Sequence, residues 1–417
     1  MANINELMNG WGFGMQGSTQ VNTTVAANIA VGSDTVTPAS MTGIAVGSLL
    51  WVVNPSGTNG EVISVTAVAG TTFTATFTLT KTGPGIVVKS VSSITTPNAA
   101  ASIWRMTNLN NKPWAKVPVN EDDRQEIGKG HEFPTELFKS HYNMPTYEIS
   151  KYASSEFLAW VLAFALGNVS VAGTGPYTYT ITPALGATNP TGLELPYFSF
   201  VQQIRPGGSA ILDEILVGCA IKGWKLSIKS APGRASAMCS CECVTTGQYT
   251  TPSGITLPAV LLPHEFNASM ISALTINGIN YLTGGSGKQF VSLDASWENN
   301  FRSGFFPGSG TQDGYQIEGR FEWGDRAFSI TFVVRIQAGS QEYTNLINQT
   351  TGPATITFTR DANNSFSIAV QQMGFNVVEL SNTDGIATLQ VTGVQLYNAT
   401  TGLVTFTVTT PQAGICQ

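Results

Sequence analysis

Ten residues near the middle of the C-terminal half constrain the fold most. From Ala327 to Ile336 the side chains alternate without a break. Ala327, Ser329, Thr331, Val333 and Arg335 fall on one side, and Phe328, Ile330, Phe332, Val334 and Ile336 on the other. Successive side chains of a strand point to opposite faces, so this segment reads as a β-strand with one apolar and one largely polar side. Such a strand belongs to an antiparallel sheet covered on one face only. A second stretch, Glu61 to Phe77, alternates in the same way around the turn Ala69-Gly70.

The rest of the composition agrees with a chain built from strands. Of 417 residues, 42% are hydrophobic and 43 are Gly, with Ser and Thr abundant throughout. That length implies two or three domains with real cores. Charged residues make up only 11%, against about a quarter in soluble domains. A surface so poor in charge fits a subunit covered by neighbours in a large assembly. The net charge of −6 comes with no basic patch, which disfavours a tight grip on phosphates. A surface past which nucleic acid slides is still allowed. No run of about 18 apolar residues is present, so no membrane-spanning helix is expected. The opening Met1-Ala2-Asn3-Ile4-Asn5-Glu6 is unlike a secretion leader.

Charge is spread unevenly. Residues 1–100 carry only Glu6, Asp34, Glu61, Lys81 and Lys89, whereas the next sixty carry fifteen charges. That shift marks a boundary near residue 100, with Ser92–Ser102 as a linker. The expected organisation is an arm at 1–19, an accessory all-β module at 20–98, one domain at 99–255, a linker at 256–288 and a second domain at 289–417. The two large domains repeat one order: strands, a short helix, then a meander. The helices fall at Ser154–Leu166, capped by Ser154 or Ser155 and stopped at Gly167-Asn168, and at Ser340–Asn348.

Several stretches resemble the tail tube proteins of long-tailed bacteriophages. They are Tyr147-Glu148-Ile149-Ser150 leading into Ser155–Gly167 with its Ala165-Leu166-Gly167 ending, then Tyr177–Pro183, Leu195–Phe200 and Leu216–Ile228. The order and spacing of these stretches carry the resemblance, which covers about residues 100–410. It implies a mainly β subunit, a tail-tube-type antiparallel sandwich or half-barrel plus helix. The fold would be duplicated, with the extra small module outside the tube. It implies a structural virion protein that stacks in rings around the path of DNA. Trimeric pseudo-hexameric rings are favoured and hexameric rings are possible. The implied partners are further copies, a tape measure protein and tail terminator or tip proteins. DNA would pass without specific binding, and no membrane would be involved. Assembly would occur in the host bacterial cytoplasm. A decoration or receptor-binding surface protein is the alternative.

No enzymatic activity, cofactor or metal is expected. Cys239, Cys241 and Cys243 share one strand face, with Cys219 on a neighbouring strand; they read as small apolar core residues. Cys416 reads as a free thiol on an arm. His131-Glu132 and His264-Glu265 match no catalytic array. The charged stretch Glu121, Asp122, Asp123, Arg124, Glu126 and Lys129 lies in a loop from Val117 to Phe133. It lacks the spacing of a calcium loop and is expected to reach a neighbouring ring.

Overall fold

The computed structural model describes residues 10–15, 21–42, 44, 49–56, 59–92, 105–107, 109, 119–121, 137–139, 146–173, 175–184, 195, 197–204, 212–229, 236–245, 247–252, 264–282, 290–301, 305–307, 315–317, 324–336, 341–383, 385–396 and 404–411. The fold is mainly β, 67% strand with antiparallel sheets and two short α-helices among the described residues.

Strand β1 (Gly10–Met15) precedes a module of β2 (Asn22–Val25), β3 (Gly32–Val36), β4 (Leu49–Val53), β5 (Gly60–Ala69), β6 (Thr72–Phe77) and β7 (Ile86–Ser92). Three short strands follow: β8 (Arg105–Thr107), β9 (Val119–Glu121) and β10 (Leu137–Lys139). Then come β11 (Thr146–Tyr152), α1 (Ser155–Leu166), β12 (Gly167–Ala172), β13 (Tyr177–Pro183), β14 (Phe198–Ile204), β15 (Leu212–Lys229), β16 (Met238–Val244) and β17 (Gly247–Pro252). The chain continues through β18 (Ile271–Ile276), β19 (Ile279–Asn280), β20 (Phe290–Glu298), β21 (Phe305–Pro307), β22 (Tyr315–Ile317) and β23 (Ala327–Arg335). It ends with α2 (Gln341–Ile347), β24 (Thr351–Asp361), β25 (Asn364–Thr383), β26 (Ile386–Gln395) and β27 (Thr405–Thr410).

The module pairs in the order β2-β7-β4-β5-β6-β3 and turns back on itself through a bridge between Val25 and Pro38. Its core is Val25, Leu50, Ile63, Val65, Phe73, Phe77 and Val88 with their neighbours. Inside it sits a buried ion pair. The Glu61 carboxylate takes Lys81 Nζ and Leu79 N on Oε1, and Thr78 N and Oγ1 on Oε2. A buried charge is tolerable only when its bonding capacity is filled this way. Burial lowers the Lys81 pKa, and Glu61 opposes that shift. The module is not held by its linker alone. Gly60 and Glu61 pair with Val171 and Ser170 of β12, and Trp51 and Val53 enter the main core. A Cβ on Gly60 would come within 2.5 Å of Trp51 and of Val171, so this junction needs glycine.

Among the described residues the ladders of the body connect into one closed system, which divides into three sheets joined by shared strands. The large one runs β11-β16-β15-β20-β23-β26-β25. A second runs β12-β13-β27-β25-β24-β18, with β19 hairpinned onto β18. The third runs β8-β1-β14-β15-β17. Two long strands each serve two sheets. β15 gives residues 212–217 to the third sheet and 220–229 to the large one. β25 gives 365–369 to the second sheet and 373–383 to the large one.

Helix α1 lies between sheets, against β15 on one side and β12, β13 and β27 on the other. Its sequence, SEFLAWVLAFAL, is apolar all round, and every residue but Glu156 is buried. A helix of that kind is core material. Ser154 caps it, with its side chain accepting from Phe157 N, and Gly167 ends it at φ 87°. The fixed left-handed turn at Gly167 leads straight into β12, with no loop. Beyond the helix the sheets touch directly: Trp224 and Phe328 of the large sheet pack on Phe406 of the second at 5.5 and 5.8 Å.

A single core therefore holds residues from both expected halves, from Tyr147 to Val408. β15 pairs with β20, and β13 with β27, across the expected boundary. The stretch 256–288, expected to link the halves, contains β18 paired with β24. Among the described residues the segments expected as two domains share one core.

Candidate functional site

The outer face of the large sheet is a broad, ordered surface, seven strands across. The alternation read in β23 is present, with Phe328, Ile330, Phe332 and Val334 buried and Ser329, Thr331 and Val333 turned outward. Ile336, expected on the buried side, is 37% exposed, because the ladder ends at Arg335. The same division crosses the sheet. Ser150, Ser240, Lys225, Ser296 and Ser329 face one another strand by strand. Ser227, Asp294, Thr331 and Thr392 make a second row. Paired hydroxyls bridge neighbouring strands, Ser296 to Ser329 at 2.9 Å and Thr331 to Thr392 at 3.1 Å.

Two ion pairs and two further carboxylates lie on this face. Lys225 pairs with Asp294 at 3.1 Å and Lys222 with Glu242 at 2.8 Å. Glu148 lies opposite Glu242, and Glu298 reaches over Gly223 towards the same carboxylate. A Cβ on Gly223 would sit 2.6 Å from the Glu298 carboxylate, so glycine makes the crossing possible. Partial burial raises the Glu298 pKa, the Glu242 charge adds to it, and Lys222 opposes both. The face thus offers hydroxyls, two ion pairs and the added carboxylates of Glu148 and Glu298, without the run of cations that binds phosphate.

The remaining expected residues are placed as follows. Glu121 ends β9, opposite Leu137 of β10, so the acidic stretch begins where a two-stranded ribbon stops. Asp122, Asp123, Arg124, Glu126 and Lys129 lie outside the described residues, as do His131, His141 and Cys416. His264 pairs with Glu156 at the start of α1, Nδ1 to Oε1 2.6 Å, rather than with its neighbour Glu265. Cys219, Cys239, Cys241 and Cys243 are all buried free thiols. Burial pushes the Cys219 thiol up to about 12 and raises Cys241 and Cys243 as well; such thiols are poor nucleophiles. Among the described residues no helix is long and apolar enough to cross a membrane.

Sequence reading found this face on β23 only. The signal was present elsewhere: Cys239, Cys241 and Cys243 point inward while Ser240 and Glu242 point out, and Leu293, Ala295 and Trp297 alternate with Asp294, Ser296 and Glu298. What the sequence does not carry is the cross-strand register that lines these residues up.

These features define an antiparallel β protein with one buried helix and one broad polar sheet face. Compared with known families and with curated proteins, the chain matches no family model and no curated sequence.

Proposed function

We propose that the chain is a structural virion subunit, a tail tube protein whose copies stand side by side in rings and stack into a hollow tube for DNA. The observation that carries this reading is the large sheet. It is seven strands wide, apolar on the core side, and on the other polar with hydroxyl rows, two ion pairs and an excess of carboxylates. A wall that DNA must pass needs wettable groups that do not hold phosphate, and serine and threonine rows with paired charges supply them.

The width favours one ring size. Seven strands at about 4.8 Å spacing span about 34 Å. With the tilt usual in closed barrels, three such walls close at a backbone diameter of about 40 Å and six at about 80 Å. After side chains are subtracted, only the smaller bore is on the scale of a duplex whose major groove is about 12 Å wide. The trimeric ring is therefore the preferred form. The module, fixed to β12 of the second sheet, would lie away from the bore.

Electron microscopy of the purified protein tests the reading. Uniform hollow filaments are expected on concentration. Small discrete oligomers that bind cells or glycans would replace it with the surface-adhesin alternative.

A further inference from the structure

Lys81 and Glu61 face each other inside the N-terminal module, with 0% and 4% of their side chains exposed. Both are held from the backbone. Glu61 pairs with Val52 of β4 on one side and with Ser170 of β12 on the other. Lys81 exchanges two backbone bonds with Ile29, Lys81 N to Ile29 O at 2.9 Å and Ile29 N to Lys81 O at 3.0 Å. An amine and a carboxyl group in contact, on backbones that are both pinned, meet the first condition for a reaction between them.

The surroundings meet the second. Leu79 O accepts from Lys81 Nζ at 3.0 Å and so orients the amine. Burial lowers the Lys81 pKa, which favours the uncharged amine, the form that attacks a carbonyl carbon. The two oxygens of Glu61 are held differently. Oε1 takes Lys81 Nζ and Leu79 N, whereas Oε2 takes Thr78 N at 2.8 Å and Thr78 Oγ1 at 2.6 Å. Oε2 therefore has fixed donors where negative charge develops when Cδ becomes tetrahedral. Oε1 lies against the group that can supply its protons.

We propose that Glu61 and Lys81 condense in the folded module to an amide, a covalent cross-link between β5 and the segment that follows β6. A proton passes from Nζ to Oε1, and the amine lone pair forms the Nζ–Cδ bond. Charge moves onto Oε2, between Thr78 N and Thr78 Oγ1. As that intermediate collapses the Cδ–Oε1 bond breaks, and Oε1 leaves as water with a second proton from Nζ. The reaction needs no oxidant, cofactor or further reactant. It removes two buried charges and with them the desolvation that an ion pair must offset. The product closes a loop of 20 residue steps and constrains the unfolded chain as a disulfide does, but in a form that reductants do not open. It fastens the module beside the strand that pairs with β12, whether or not copies of the chain form a tube.

Mass spectrometry of the full chain tests the cross-link. Folded wild type should be one water lighter than its sequence. The first lysine or arginine of the chain is Lys81 and the next is Lys89. Trypsin should therefore pass over the blocked Lys81 and release residues 1–89 as one peptide, itself one water light. Thr78→Val removes the hydroxyl donor from Oε2 at an exposed position and leaves the pair in place. In freshly made protein the light form should then accumulate about tenfold or more slowly than in wild type. Lys81→Met should keep its full sequence mass; should that variant not fold, the wild-type mass still decides. Wild type that stays at its sequence mass after prolonged incubation, and is cut normally after Lys81, would overturn the proposal and leave a plain ion pair. A loss of water that persists in Lys81→Met, or that maps to other residues, would overturn it as well.

Discussion

Helices α1 and α2 occupy the same place in the two halves of the chain, after a set of strands and before a meander, yet they live in opposite environments. α1 has eleven buried residues out of twelve. In α2 only Glu342 is buried, with Tyr281 donating its hydroxyl to Oε1 at 3.1 Å. The difference teaches that a helix between strands in the chain order is not thereby a core helix. One apolar helix fills the space between sheets, and the other packs beside β25 with a single buried residue. Composition contributes to this outcome: SEFLAWVLAFAL has no polar stripe to give to water, whereas QEYTNLI is polar at Gln341, Glu342, Thr344 and Asn345.

The strongest way to break this comparison is to open a cavity under α1. Phe164 packs on Trp160 and Phe198 at 5.1 and 5.3 Å. Phe164→Ala should cost about 3–5 kcal/mol, and the body from Tyr147 to Val408 should melt in one transition. Calorimetry that finds the second half melting separately at its wild-type temperature would mean two cores. Next comes the clamp on the end of the helix. Buried Asn299 donates to Ala165 O and Ile221 O at 2.9 and 2.8 Å, and its Oδ1 accepts from Trp297 Nε1 at 2.9 Å. Asn299→Ala strands three buried groups and should cost about 2–3 kcal/mol in urea unfolding; a loss under about 1 kcal/mol would show that the clamp is replaced by solvent.

A smaller effect belongs to the polar face. The folded-state pKa of Glu298 is raised. Folding therefore favours its protonated form, and stability is lost as pH rises through that folded value. Glu298→Gln should melt slightly higher than wild type near neutral pH, and the gain should vanish in acid, where both states are protonated. A gain that persists in acid would assign the effect to packing. The smallest change is expected on α2. Ile347→Ser should alter monomer stability by no more than about 0.5 kcal/mol, as surface substitutions do. A large loss by thermal denaturation would place α2 in the core beside α1 after all.

Local chemistry made much of this legible. The alternation of β23 and the caps of α1 follow from residues within a few positions of one another, and the inward row of Cys239, Cys241 and Cys243 needed only the period of a strand. Elements defined by distant partners were not legible. β12 starts at Gly167, where the glycine read as a stop, and becomes a strand because β13 pairs along it. β18, inside the expected linker, exists through β24, about eighty residues away. β2 and β7 depend on each other across the length of the module. Of the charged loop at 121–129 only Glu121 is among the described residues. The candidate face was hidden for the same reason as β18, since its rows of hydroxyls and paired charges appear only once the strands are aligned.

Strand β15 carries a mechanical consequence. Its eighteen residues enter the third sheet at Leu212 and leave the large sheet at Lys229 without interruption. Tension between those two sheets is therefore borne by covalent backbone rather than by side chains sliding over one another. To slip, β15 would have to shear its ladders with β16 and β20 together, a stiffer failure than opening one rung at a time. A conduit made of such subunits would flex at its seams before it yielded within them.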